Sequence, residues 1–119
     1  MKRQYQTSAS VLDENKELVE KELKLGYMNL SEELFEAARM DFLLAAELDP
    51  NCADAFWGLM LEKENIKDED DLSENPVKYK EIVYTEYYDK AMANASEEQK
   101  SCYNQILERI HAINEGDNY

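Results

Sequence analysis

The residues that could carry out acid–base or nucleophilic chemistry are few in this chain. His111 is the single histidine among 119 residues, and it stands three residues after Glu108. General acid–base catalysis needs a pair of groups positioned in a cleft, and a lone histidine is more typical of a surface or packing position. Neither Cys52 nor Cys102 has a histidine nearby in the sequence to activate a thiolate. We therefore expect no enzyme; the alternative is a small hydrolase or transferase whose residues meet only in the folded structure.

The same residue types do not fit a known metal site in number or spacing. A structural zinc site takes four Cys or His ligands, whereas this chain has two cysteines and one histidine. A calcium loop of the EF-hand type beginning at Asp68 has Leu72 in place of the third ligand, Ser73 in place of glycine and Tyr79 in place of the last glutamate. We expect no metal and no cofactor, and we interpret both cysteines as reduced, small hydrophobic residues.

The charge is strongly acidic, with 27 Asp and Glu against 13 Lys and Arg and a formal net charge of −14. Such a surface repels nucleic acid and favours either solubility alone or attraction to a basic partner. No run approaches the roughly 18 apolar residues of a membrane span, and the residues after Met1-Lys2-Arg3 are polar, unlike a secretory signal. These features predict a cytoplasmic protein that binds neither nucleic acid nor a membrane.

The elements that must position these residues are predicted to be helical, since three glycines and two prolines are low counts. Apolar periodicity predicts five helices, at about 11–28, 31–48, 52–64, 76–95 and 97–114. Their predicted N-caps are Ser10, Ser31, Asn51, Asn75 and Ser96. A single domain would then span 11–114, with an acidic inserted loop at 66–75 and flexible ends at 1–10 and 115–119.

The stretch 37–61 carries the most specific pattern. Ala38, Phe42 and Ala45 lie on one helix face because they are spaced four and three apart. Asp49-Pro50 ends that helix, since the residue before a proline is driven out of the helical region. A helix, a short turn and a second helix follow from this pattern.

This pattern resembles the tetratricopeptide repeat family, whose repeat of about 34 residues is an antiparallel pair of helices. Leu25 and Gly26 match the Leu-Gly pair of the family's first helix. The residues that follow in the family's spacing are Ala38, Phe42, Ala45 and Pro50. A second, more divergent repeat begins at Ala53, and the residues 87–92, YYDKAM, resemble its second helix after a 12-residue insertion.

The resemblance covers about 19–113, and the chain departs from the family at several places. The residues that differ from the usual ones are Glu22, Asn29, Met60 and Ser96. The resemblance implies two helical hairpins and a capping helix, a fragment of a right-handed α-solenoid. The body with its acidic insertion also resembles bacterial proteins that join such repeats to an N-terminal zinc ribbon, although this chain lacks the ribbon's cysteines.

The family resemblance implies a non-catalytic module for protein–protein interaction. Its concave groove would carry Lys24 and Tyr27 from the first helix and Trp57 and Leu61 from the third, a mixture typical of binding hot spots. The expected partner is a basic or amphipathic segment of another protein. Two alternatives remain: Trp57 packs against the first or fourth helix, or the chain is a scaffold that self-associates, because two repeats are fewer than the usual three.

Overall fold

The structure, a computed structural model, describes residues 3–116. Over these residues the chain is all-α, as predicted, with no strand. The long helices come first: α1 (Asp13–Ser31), α2 (Phe35–Leu48) and α3 (Ala53–Lys63). A short α4 (Glu69–Glu74) and a 3₁₀ helix (Lys80–Tyr84) follow, and then α5 (Glu86–Asn94), α6 (Glu97–Ile106) and α7 (Glu108–Gly116). No helix within this range is long and apolar enough to cross a membrane.

The core lies where α1, α2 and α3 meet. Phe42 of α2 is fully buried, and its ring lies against Gly26 of α1 and Gly58 of α3. A Cβ atom on either glycine would lie 2.5 Å from the Phe42 ring, so both helices need glycine for this close approach. Ala38 and Ala45 are also fully buried, which confirms the inward face predicted for this helix.

The prediction of five helices is wrong. One segment predicted as a loop contains a helix, and two segments predicted as single helices are each divided in two. The first is the acidic segment 66–75, predicted as a loop. Its residues form α4, in which the side chain of Asp68 accepts a hydrogen bond from the Asp71 N–H at 2.7 Å. Acidic residues in the first turn interact favourably with the helix dipole, and the fully buried Leu72 packs the helix against the core.

The segment 76–95, predicted as one helix, breaks in two at Thr85. Its hydroxyl donates to the Ile82 carbonyl at 2.7 Å and accepts from the Tyr88 N–H at 3.4 Å, so it ends the 3₁₀ helix and caps α5. Asn75, the predicted N-cap, instead donates from its side-chain amide back to Asp71 of α4. The segment 97–114 also breaks, at Leu107, and α7 then packs on the 3₁₀ helix, where the Asn114 side chain donates to the Lys80 carbonyl.

The predicted N-caps have different outcomes. Ser96 forms a complete capping box with Gln99, as predicted. Ser31 instead ends α1 and donates to the Met28 carbonyl, and a turn through Glu33, whose φ is 63°, delays the next helix to Phe35. Asn51 donates to the Ser10 hydroxyl rather than capping α3.

The ends of the chain were predicted to be flexible. Residues 3–10 form no helix but make specific contacts with α2 and α3, as described below. At the other end, Glu115 and Gly116 belong to α7, and the remainder of the predicted tail, 117–119, lies outside the described residues.

Candidate functional site

A groove of about 1370 Å³ lies between α1 on one side and α4 and α6 on the other. Its walls mix charged and apolar side chains, among them Leu18, Lys24, Met28, Asp70 and Ile106. Tyr27 of α1 and residues 3–5 near the start of the chain also line the groove. This part of the chain therefore forms one wall of the groove.

Residues 3–10, which we call the N-terminal segment, are held by two buried carboxylates at the ends of α2 and α3. Asp54 accepts from the Gln6 N–H at 2.8 Å, and Asp49 accepts from the Ser8 N–H at 2.7 Å. The Ser8 hydroxyl also donates to Asp49 at 2.5 Å. These bonds fix the main chain through side-chain acceptors, without pairing to a strand.

Arg3 anchors the segment through two edges of its guanidinium group. Its Nη1 and Nη2 donate to the two oxygens of Asp54 at 3.3 and 2.9 Å. Its Nε donates to Glu69 Oε2 at 3.0 Å, and Nη2 lies 3.0 Å from the same oxygen. The guanidinium also lies 4.5 Å from the ring centre of Tyr5 and 5.4 Å from that of Tyr103. Two carboxylates along two edges of a planar group, with aromatic rings beside it, suit arginine rather than lysine.

Asp54 is the centre of the polar network. It is fully buried, and its carboxylate also accepts from the Tyr103 hydroxyl at 2.6 Å and from Gln99 Nε2 at 3.2 Å. Its main-chain carbonyl accepts from the Tyr27 hydroxyl at 2.5 Å. Its position in the first turn of α3 adds a favourable interaction with the helix dipole. Asp54 thus links α3 to α6 and the N-terminal segment through its carboxylate, and to α1 through its main-chain carbonyl.

Two aromatic pairs frame this network. Tyr5 of the segment stacks on Tyr27, with ring centres 3.5 Å apart and planes 2° from parallel. Trp57 stacks on Tyr103, with centres 4.1 Å apart, and its Nε1–H donates to Glu69 Oε2 at 2.7 Å. The Trp57–Tyr103 pair holds the acidic side of the Arg3 site in place.

Burial sets the protonation behaviour of these groups. It raises the pKa of Glu69, and this effect exceeds the lowering by Arg3. Burial and the neighbouring Asp54 charge raise the pKa values of Tyr27 and Tyr103, so both phenols stay protonated and donate hydrogen bonds. Both cysteines are free thiols, and burial raises the pKa of Cys52 to about 12, which makes it a poor nucleophile.

The four residues predicted to bind a partner divide into two pairs. Lys24 is exposed on the groove wall, and Tyr27 also lines the groove, stacked against Tyr5. Trp57 and Leu61 are fully buried, so neither offers a surface to a partner in this conformation. Trp57 is a core residue, the alternative that the sequence left open, and it contacts Tyr103 of α6 and Glu69 of α4.

The sequence does not predict Arg3, Tyr5 and Glu69 as groove residues or Tyr103 as part of the polar network. It predicts Asp54 only as a capping residue and as one of the acidic groups around the groove. One sequence pattern could have indicated Arg3 and Tyr5. Residues i and i+2 of an extended chain share a face, so Arg3 and Tyr5 can contact the same surface. No local pattern indicated which surface that would be.

Of the groups first considered for chemistry, the two cysteines lie near this site: Cys102 lines the groove, and the Cys52 thiol donates to the Gln6 carbonyl at 3.7 Å. His111 is half-buried on α7, and it does not line the groove. Within residues 3–116, no group of three or more His, Cys, Asp or Glu side chains is arranged to hold a metal ion. Comparison with models of known protein families, with curated proteins and with solved structures finds no match to this chain.

Proposed function

We propose that this protein is a non-catalytic interaction module whose groove binds an extended segment of another protein. The observation that carries the proposal is the N-terminal segment itself. Its residues 3–5 line the groove, residues 3–10 form no helix or strand, and Asp49 and Asp54 hold its main-chain N–H groups. A surface that binds one extended segment through side-chain acceptors is suited to bind another of similar chemistry.

The packing of the first three helices supports a tetratricopeptide-like arrangement as the scaffold of this groove. α1 and α2 are joined by three residues and pack closely together, and α2 packs in turn on α3. Phe42 fits against glycines on both neighbouring helices, as an arrangement of stacked hairpins requires. In such an arrangement the concave side is the side that binds partners.

The groove walls favour a basic or amphipathic segment. Acidic residues outnumber basic ones in its lining, with Glu14, Glu17, Glu20, Asp68, Glu69 and Asp70 against Arg3, Lys21, Lys24 and Lys67. Leu18, Met28 and Ile106 add apolar contacts along the same walls. This charge would speed association with a cationic segment, most strongly at low salt.

Site-directed photo-crosslinking tests the proposal. A photoreactive amino acid replaces Lys24 on the groove wall, and a matched variant carries it at Met40, which is exposed on α2 and does not line the groove. After irradiation in lysate, we expect the Lys24 position alone to capture a protein through an extended basic segment. A synthetic peptide of that segment should then bind the purified chain. Identical products from both positions, or no product at Lys24, would contradict the proposal.

A second candidate function is self-association as a scaffold. The observation that favours it is a set of exposed apolar side chains on α2, with Met40 64%, Leu43 46% and Leu44 39% exposed. Sedimentation at several concentrations separates the candidates. A dimer that disappears in a Leu43→Lys variant would favour the scaffold, and a monomer at all concentrations would favour the module.

A further inference from the structure

We infer that the N-terminal segment is an internal ligand, and that the groove selects partner segments in which an arginine stands two residues before an aromatic residue. The inference rests on the proposed function and names the chemistry of the partner. On this view residues 3–10 occupy the site formed by Asp54, Glu69 and Tyr27 beside the groove until a segment with the same two side chains displaces them. The N-terminal segment is then autoinhibitory, and its sequence indicates which partner segments the groove selects.

The arginine requirement follows from what would remain if Arg3 left. Asp54 and Glu69 would face each other in a largely buried site without a cation, and both are already fixed by other partners. Buried charges without a counter-charge are strongly unfavourable, so the vacated site demands another cation. The two carboxylates contact adjacent edges of the Arg3 guanidinium, a geometry that an ammonium group cannot satisfy.

The aromatic requirement follows from the Tyr27 ring. Its face is covered by Tyr5 at 3.5 Å, while its edge contacts Phe42 and its hydroxyl is bound to Asp54. Tyr27 therefore cannot turn to bury the face that Tyr5 would expose. An incoming segment must supply a flat side chain at the same distance from its arginine, since Arg3 also lies over the Tyr5 ring.

The N-terminal segment is suited to displacement because side-chain contacts and single hydrogen bonds hold it, without secondary structure. Between Arg3 and Ser10 there is no helix or strand to unfold, and Gln4, Gln6 and Ala9 are exposed. The contacts with the body include the ion pairs of Arg3, the Tyr5 stack and the bonds to Asp49 and Asp54. Single hydrogen bonds from Cys52 and Asn51 and the approach of Arg3 to the Tyr103 ring add to them. A tethered ligand has an effective concentration in the millimolar range, which a partner must overcome.

The test uses the full chain and the acetylated peptide RQYQTSAS, which copies residues 3–10. Fluorescence anisotropy of labelled peptide is measured with the unmodified chain, with Arg3→Ala and Tyr5→Ala, and with the control Gln4→Ala at an exposed position of the same segment. We expect Arg3→Ala and Tyr5→Ala to bind the peptide at least about tenfold more tightly than the unmodified chain and Gln4→Ala do. The peptide with alanine in place of its arginine should bind at least about tenfold more weakly.

Arg3→Ala leaves two buried carboxylates without their cation and could unfold. In that case the peptide should raise the melting temperature of Arg3→Ala and leave that of the unmodified chain nearly unchanged. Tyr5→Ala keeps the ion pairs of Arg3 and gives an independent measurement.

Three results would overturn the inference. They are equal binding of the peptides with and without arginine, equal binding by the variants and the unmodified chain, and a concentration-dependent dimer that Arg3→Ala abolishes. The last would mean that the occupant is a second copy of this chain. Crosslinking at Lys24 to a segment without arginine would overturn only this inference and leave the proposed function in place.

Discussion

Replacing Asp54 by asparagine should destabilise the fold severely, although the two side chains have the same shape. Every group directed at this carboxylate is a donor: the guanidinium of Arg3, the Gln6 N–H, the Gln99 amide and the Tyr103 hydroxyl. Asparagine replaces one acceptor oxygen with an NH₂ group, which must then face a donor. The substitution also removes the negative charge that balances Arg3.

The magnitude can be worked out from this geometry. Removing one partner of a buried ion pair costs about 3–5 kcal/mol, because the other charge is left unpaired. That is a large share of the roughly 5–15 kcal/mol by which domains are stable. An unfolding entropy of about 2.1 cal/mol/K per residue over 119 residues converts each kcal/mol into about 4 °C. We therefore expect the melting temperature of Asp54→Asn to fall by about 12–20 °C.

Circular dichroism during thermal and urea unfolding measures the effect. Asp70→Asn is the matched control, since Asp70 is exposed on α4, and it should change stability by no more than about 0.5 kcal/mol. A loss below about 1 kcal/mol for Asp54→Asn would refute the reasoning, because the network around Asp54 would then not hold the segment in place.

Three further predictions concern the core and the acidic side of the Arg3 site. Gly58→Ala places a methyl group 2.5 Å from the phenyl ring beside it and should cost about 1–3 kcal/mol in urea unfolding, whereas Gly116→Ala, with nothing within 4 Å, should not. Trp57→Ala should cost about 3–5 kcal/mol because the residue is fully buried; a normal melting temperature would return Trp57 to the list of binding residues. Burial raises the pKa of Glu69 above 4.5, so its contribution to stability is present below that pH and is lost as pH rises through the folded-state pKa. The unmodified chain should therefore lose stability relative to Glu69→Gln as pH rises above the ordinary pKa of a glutamate side chain, and a constant difference would contradict this.

The helical class and the central packing were predictable because they depend on local periodicity. Ala38, Phe42 and Ala45 share a face by spacing alone, and all three are fully buried. The capping box at Ser96 was predictable for the same reason, since both of its partners lie within one turn. The breaks at Thr85 and Leu107 were not predictable from the sequence. Apolar residues continue across both, and tertiary contacts decide where each helix ends.

The groove was only partly predictable. Tyr27 and Lys24 follow from the periodicity of one helix together with the family resemblance. The Arg3 site joins residues separated by 51 and 66 positions, Arg3 with Asp54 and Arg3 with Glu69, and no local pattern contains that pairing. A polar segment without apolar period is ordinarily flexible, and here buried carboxylates fix it.

The most direct test of the central claim is amide hydrogen exchange at Gln6 and Ser8 of the unmodified chain. Both N–H groups donate to buried carboxylates, so both should exchange far more slowly than in an unstructured peptide. Excess acetylated RQYQTSAS should then accelerate both, because the peptide displaces the segment, while the peptide lacking arginine should not. Exchange at the unstructured rate without peptide, or protection that no concentration of the arginine peptide reduces, would contradict the account.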